Sequence, residues 1–198
     1  MPTSYALLST YPPTLCGLAT FAAALVAHLP RPGDQVAVVR VLDELAPRPA
    51  SEVVHDLVAG SAASAAVAAD VLNSFDVVIV QHEYGIYGGP DGQDVVSLLE
   101  ALHVPTIVVL HTVLAHPSPR QRAILEGVIA AVGAVVTMTK TARSRLLDCY
   151  GSPPREGLGY TAWRRRQPSY RIVSAGCQPV DGADLGVAWA RKGYRARD

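Results

Sequence analysis

Over the first three quarters of the chain, short continuous runs of apolar residues alternate with longer stretches that read as helices. The runs are Tyr5–Ser9 (YALLS), Gln35–Val41 (QVAVVRV), Phe75–Gln81 (FDVVIVQ), Thr106–His111 (TIVVLH) and Ala134–Thr137 (AVVT). They are continuous rather than alternating and rich in β-branched residues, the signature of strands buried on both faces of a parallel sheet. Helices are expected at about 18–29, over the alanine-rich 51–73 with Gly60 dividing it, at 93–102, at 118–131 with Pro119 in the first turn, and at 140–150. This alternation predicts an α/β fold, a Rossmann-like parallel sheet with helices on both faces.

The pattern stops near residue 151. The stretch SPPREGLGYTAWRRRQPSYR has no period of 2 or 3.6, and both tryptophans, Trp163 and Trp189, lie beyond that point. Charge reverses there too: residues 1–150 hold 8 basic and 13 acidic side chains, net −5, and residues 151–198 hold 9 and 4, net +5. The expected organisation is one domain over 1–151 and an irregular, poorly ordered tail over 152–198.

At 49% hydrophobic and 17% charged, the 198 residues can bury a sizeable core. The formal net charge is zero, so nucleic acid is not an expected partner. Cys16, Cys149 and Cys177 are odd in number and irregularly spaced; they fit neither a disulfide framework nor a zinc site and suggest a reducing compartment. The start, MPTSYALLSTYPP, has no basic region before its apolar residues, and the longest uncharged apolar stretch, Gly127–Met138, falls well short of the roughly 20 residues a membrane span needs. A cytoplasmic protein without a transmembrane segment is expected.

The candidate chemistry lies at strand ends. QHEYGIYGGPDG (81–92) follows a buried strand and brings His82, Glu83, Tyr84 and the glycines Gly88 and Gly89 into one loop. In open α/β sheets ligands bind where such loops converge, and glycines allow close backbone approach. A decorated surface loop is the plainer alternative. The first loop, YPPTLCGLATF, places Gly17 at a helix start, either an ordinary βα turn or an anion site facing free N–H groups. Neither GxGxxG nor HExxH occurs, which argues against dinucleotide cofactors and zincin chemistry; no cofactor or metal is expected. His111 ends a further strand, and Lys140 follows the next, within reach of the same rim or simply solvated. His103, His116, Arg120 and Arg122 read as surface residues.

Four segments in order, YPPTLCGLATFAAALVAHL, DVVIVQHEYGIYGGPDG, PTIVVLHTVLAHPSPRQRAIL and the helix after VVTMTKTARSRLLDCYG, resemble the amino-terminal domain of family 4 glycosyltransferases. These are retaining enzymes of GT-B fold, and the resemblance covers about residues 4–151. It implies that Gly17 lines the cleft near donor phosphates, that His82 and Glu83 in their loop face the acceptor or transferred sugar, and that His111 acts near the reacting carbon. The implied partners are a sugar acceptor and a nucleotide-sugar donor. No metal is implied, since backbone amides and basic side chains stabilise the departing diphosphate.

The family's second Rossmann domain, with its Arg/Lys pair and paired-glutamate motif, is not found in the sequence. Back-translating Asp184–Arg195 and reading one base later permits TWGLLGPGKGI, which resembles the opening of that second domain. The sequence is thus read as a truncated, frameshifted product, a partial enzyme inactive as it stands. A non-catalytic sugar- or phosphate-binding module, or a fragment of a nucleotide-sugar epimerase of similar fold, is the alternative.

Overall fold

Seven parallel strands form one sheet in a computed structural model that describes residues 1–47 and 50–150 in full and the backbone of 171–174. The strands are β1 (Ser4–Ser9), β2 (Gln35–Leu42), β3 (Val53–Val58), β4 (Val77–His82), β5 (Thr106–Leu110), β6 (Ala134–Thr137) and β7 (Arg171–Ser174). Their order is β3-β2-β1-β4-β5-β6-β7. The helices are α1 (Gly17–His28), α2 (Ala62–Leu72), α3 (Asp94–Glu100), α4 (Pro119–Ala131) and α5 (Lys140–Tyr150). This is the α/β, Rossmann-like architecture that the apolar runs predict.

From β1 the chain builds outward through β2 to β3, then returns to lay β4 against the other side of β1 and continues the opposite way. The chain thus reverses its direction of build between β1 and β4, and the carboxyl ends of two such strands are where open α/β sheets hold their ligands. Alternation along each strand divides the core into two layers. Leu8, Val39, Val80, Val108 and Leu110 pack with Leu72 of α2, Leu99 of α3 and Leu125 of α4; Leu7, Val38, Ile79, Val109 and Val136 pack with Ala22, Leu25 and Val26 of α1. Each fully buried leucine contributes about 1.5–3 kcal/mol, so both faces of the sheet are held by burial.

The first half of the predicted helix over 51–73 is instead the strand β3. Its alanines all lie at or beyond Ala59, whereas EVVHDLV carries adjacent β-branched valines and pairs in parallel with β2, Val39 against His55 through Leu42 against Val58. Gly60 takes φ +79°, closed to most side chains, and Ser61 then caps α2 by accepting the Ser64 N–H at 3.2 Å. β7 pairs with β6 from Ala134 against Arg171 to Thr137 against Ser174. Four residues are too few to show a period in sequence. The expectations for Trp163, Trp189 and the shifted reading concern 151–170 and 175–198, outside the described residues. Among the described residues, no helix is long and apolar enough to cross a membrane.

Candidate active site

Gln81 and His82 still belong to β4, and both side chains are fully buried, at 0% and 1% exposure. By the alternation along the strand, Gln81 shares the α1 face with Ile79, and His82 shares the opposite face with Val80. The main-chain carbonyl of Gln81 accepts the buried Tyr87 hydroxyl at 2.8 Å, and its side-chain Oε1 lies 2.6 Å from His111 Nε2. The His111 main-chain N–H donates to the His82 carbonyl at 3.1 Å, continuing the β4–β5 ladder. The His82 ring stands edge-on to Tyr84 at 5.2 Å, and its Nδ1 is buried without a hydrogen-bond partner among the described residues.

Glu83 links the two loops. Its Oε1 accepts the Tyr84 N–H at 2.9 Å and its Oε2 accepts the Thr112 hydroxyl at 2.5 Å. Tyr84 donates its hydroxyl to the Gln121 carbonyl at 3.2 Å, and the Gln121 amide donates to Asp91 at 3.3 Å. Gln121 also closes a capping box with Ser118, so the same residue starts α4 and fastens the loop to it. On the other flank, Cys16 caps α1: its Sγ accepts the Ala19 N–H at 3.3 Å and lies 3.3 Å from Thr10 Oγ1. Phe21, one turn into α1, meets the edge of His111 at 5.1 Å.

The fold thus brings His82, Glu83, Tyr84 and His111 together, with Gly17 at the head of the helix that touches His111. Gly17 is exposed, and a Cβ there would meet nothing within 4 Å. Lys140 is exposed where α5 leaves β6, on the same rim, and no hydrogen bond ties it to the cluster. Gly88 and Gly89 sit at the far end of the loop. A Cβ on Gly88 would overlap the amide nitrogen and Cα of Gly60, and one on Gly89, at φ +77°, would lie 2.6 Å from Asp94 Oδ1. Close approach of the Gly60 backbone accounts for glycine at 88, and the positive φ with the crowding Asp94 and Gln93 side chains accounts for it at 89. Gly88→Ala is accordingly expected to cost about 3 kcal/mol in urea unfolding, because the neighbour is backbone and cannot rotate away. Gly17→Ala is expected to cost nothing or to stabilise slightly. A Gly88→Ala protein as stable as the wild type would contradict this packing.

Burial holds the imidazole of His82 down to about 4, against a push upward from Glu83 and a smaller push downward from His111. Burial also lowers His111, with Glu83 opposing. Both rings are neutral at pH 7. An unfolded chain protonates His82 as pH falls through 6.5, whereas the folded chain does so only near 4, so stability present above pH 6.5 drains away between 6.5 and 4. The loss amounts to about 3 kcal/mol. Unfolding of the wild type and of His82→Gln at pH 7 and pH 4 should show a loss smaller by about 3 kcal/mol in the variant, the rest coming from His111 and the carboxylates; an equal loss in both would refute it.

Two neutral imidazoles, a carboxylate, a threonine and a tyrosine form an array suited to hydroxyl groups. Arg145 comes near, donating to the Val113 carbonyl at 3.4 Å, but no cationic side chain among the described residues pairs with Glu83. Gln81, Thr112 and Phe21 also belong to the site, and the sequence, which places them in or beside its motifs, assigns them no individual role. A glutamine inside an apolar strand is the one sequence signal among them. A shallow concavity lined by Ala69, Asn73, Ala101 and His103 lies at the opposite rim, by the last turns of α2 and α3, away from this chemistry.

No protein-family model matches the chain, and no curated protein does. Solved structures do. One is an alpha-glucosyltransferase in complex with UDP and a 13-mer DNA containing a central A:G mismatch, 14% identical with a TM-score of 0.53, matched over 70% of this chain and 37% of its own. Another is an alpha-glucosyltransferase in complex with UDP and a 13-mer DNA containing a HMU base, 12% identical with a TM-score of 0.57, matched over 87% of this chain and 42% of its own. The chain spans about two fifths of the length of these proteins. The exclusion of nucleic acid drawn from zero net charge does not stand: both similar proteins hold DNA, so overall charge does not decide the matter for this fold. At these identities the likeness is one of fold, and the fold is that of one Rossmann-like half of a GT-B glycosyltransferase.

Proposed function

We propose that the chain supplies the acceptor-side half of a retaining, nucleotide-sugar-dependent glycosyltransferase resembling family 4, acting in the cytoplasm. The observation that carries this reading is the polar cluster at the carboxyl ends of β4 and β5: His82 with an Nδ1 unpartnered among the described residues, Glu83 tied to Thr112, and His111 beside Gln81. Neutral rings and a carboxylate recognise hydroxyl groups by donating and accepting hydrogen bonds, and in a half-buried site such bonds count for more than in water. The diphosphate of a donor needs cationic partners. The opposite wall of a GT-B cleft, a second Rossmann domain, is where the reading places them. His111 is the catalytic residue in this proposal, and Gly17 and Lys140 stand on the donor-facing flank.

The test is a ligand titration followed by NMR on the full 198-residue chain. Alkyl glucosides, UDP, UDP-glucose and a 13-mer duplex are each added, the duplex because two proteins of similar fold hold one. The expected result is that a hydroxyl-bearing acceptor shifts the resonances of His82, Tyr84 and His111 while UDP alone perturbs them weakly. Perturbation confined to the opposite rim near His103, or none at any concentration, would overturn the reading.

A further inference from the structure

We infer that Gln81 is a positioning residue that fixes the His111 imidazole as its Nε2–H form and leaves Nδ1 as the ring atom offered to a ligand hydroxyl. Oε1 of Gln81 and Nε2 of His111 lie 2.6 Å apart, and an amide oxygen only accepts, so the hydrogen is on the ring nitrogen. A hydrogen bond at one nitrogen of a histidine decides the role of the other. Nδ1 makes no hydrogen bond to the described residues, so its lone pair is available.

The support under Gln81 is as rigid as the fold provides. The side chain is wholly buried, its main chain is in β4, and its carbonyl is pinned by the buried Tyr87 hydroxyl at 2.8 Å. Phe21 of α1 closes the edge of the His111 ring, leaving it little freedom to turn. Gln81 keeps one atom in reserve: its Nε2 is buried with no partner, as is Oγ of Ser9 at the end of the neighbouring β1. Leu8 pairs with Val80, so Ser9 and Gln81 fall next in the same register. The two unsatisfied polar atoms thus belong to neighbouring positions on the same face of the sheet.

The groups that bear on the charge of His111 are few. Glu83 in the β4–α3 loop favours the cation, His82 on β4 is the neighbouring imidazole, α1 presents only the uncharged Phe21, and Arg145 of α5 reaches the nearby Val113 carbonyl. Gln81 touches the ring directly and carries no charge, so exchanging it changes one contact.

The inference builds on the proposed role of His111, but its test needs no ligand or transfer assay and so fails separately from that proposal. Histidine titrations of the full chain are followed by long-range 1H–15N spectra in the wild type, Gln81→Glu and Gln81→Leu. The wild type is expected to show a neutral His111 protonated at Nε2. Gln81→Glu places an opposite charge at the same contact and should raise the His111 midpoint by about one to three pH units. Gln81→Leu should lower it, and the His82 midpoint should move less than that of His111 in both. A His111 midpoint unchanged in two folded variants would overturn the inference. Should either variant fail to fold, the wild-type spectrum decides: an Nδ1-protonated neutral His111 would refute the assignment, and an Nε2–H slow to exchange with solvent would uphold it.

Discussion

Joined through Ser174 to an intact nucleotide-sugar-binding domain, the chain is expected to transfer sugar to an acceptor, whereas the 198-residue chain alone gives no measurable transfer. The reasoning is one of geometry. Holding donor and acceptor in line is worth roughly 7–11 kcal/mol of barrier, about 10⁵- to 10⁸-fold in rate, and in the proposed reading the chain supplies one wall of such a cleft. In the joined protein, His111→Ala should then lower kcat by about 10²–10³-fold, the loss typical of removing one preorganised polar group beside the reacting centre. The junction matters. β7 pairs with β6 along four residues, so a junction at Gly151 discards an edge of the sheet and should give a less stable protein. Robust transfer by the chain alone would mean that the donor site lies within it. Acceptor binding without turnover in a well-folded joined protein would favour the non-catalytic binding module.

Asp56→Ala should be the most destabilising single substitution in the β2–β3 edge, costing about 3–5 kcal/mol. Arg40 on β2 and Asp56 on β3 are register partners, with Nε and Oδ1 2.8 Å apart and side-chain exposures of 0% and 4%. The guanidinium also donates to the carbonyls of Ala46 at 3.0 Å and Pro47 at 3.3 Å, drawing the β2–β3 loop down over it. Removing the carboxylate leaves a cation without its counter-charge where water cannot reach, a loss that is a large share of the roughly 5–15 kcal/mol typical of a domain. Replacing both partners together, Arg40→Met with Asp56→Leu, should recover most of the stability, since no charge is then stranded. Chemical denaturation of the three proteins at pH 7 checks this. A single variant within 1 kcal/mol of the wild type would mean that the pair is hydrated in solution.

Legibility in the sequence followed physical rules. β1, β2, β4, β5 and β6 announce themselves because a strand buried on both faces is apolar at most positions. β3 does not: it is an edge element with charge at Asp56, and the alanines beyond it bias the whole of 51–73 toward helix. His82 and His111 were visible as polar residues punctuating apolar runs. Gln81 and Arg40 were equally visible as polar residues inside such runs, where a buried group needs a partner, but the partners, His111 and Asp56, come from elsewhere in the chain and only the pairing of strands reveals them. Gly88 looked like a ligand-facing glycine because sequence shows glycine density, not what the glycine touches.

The contact between Gly88 and Gly60 bears on how relatives of this chain can be recognised. Gly60 is held by its positive φ, and Gly88 by having the backbone of Gly60 where its own Cβ would be. The two positions lie on loops that no ladder pairing connects, yet neither can drift alone. Relatives that keep this packing are therefore expected to carry glycine at both positions together, one just before the second helix and one a few residues past the fourth strand, even where overall identity is as low as the 14% and 12% of the similar solved structures. Loss of one glycine without the other in such a relative would mean that the two loops had moved apart.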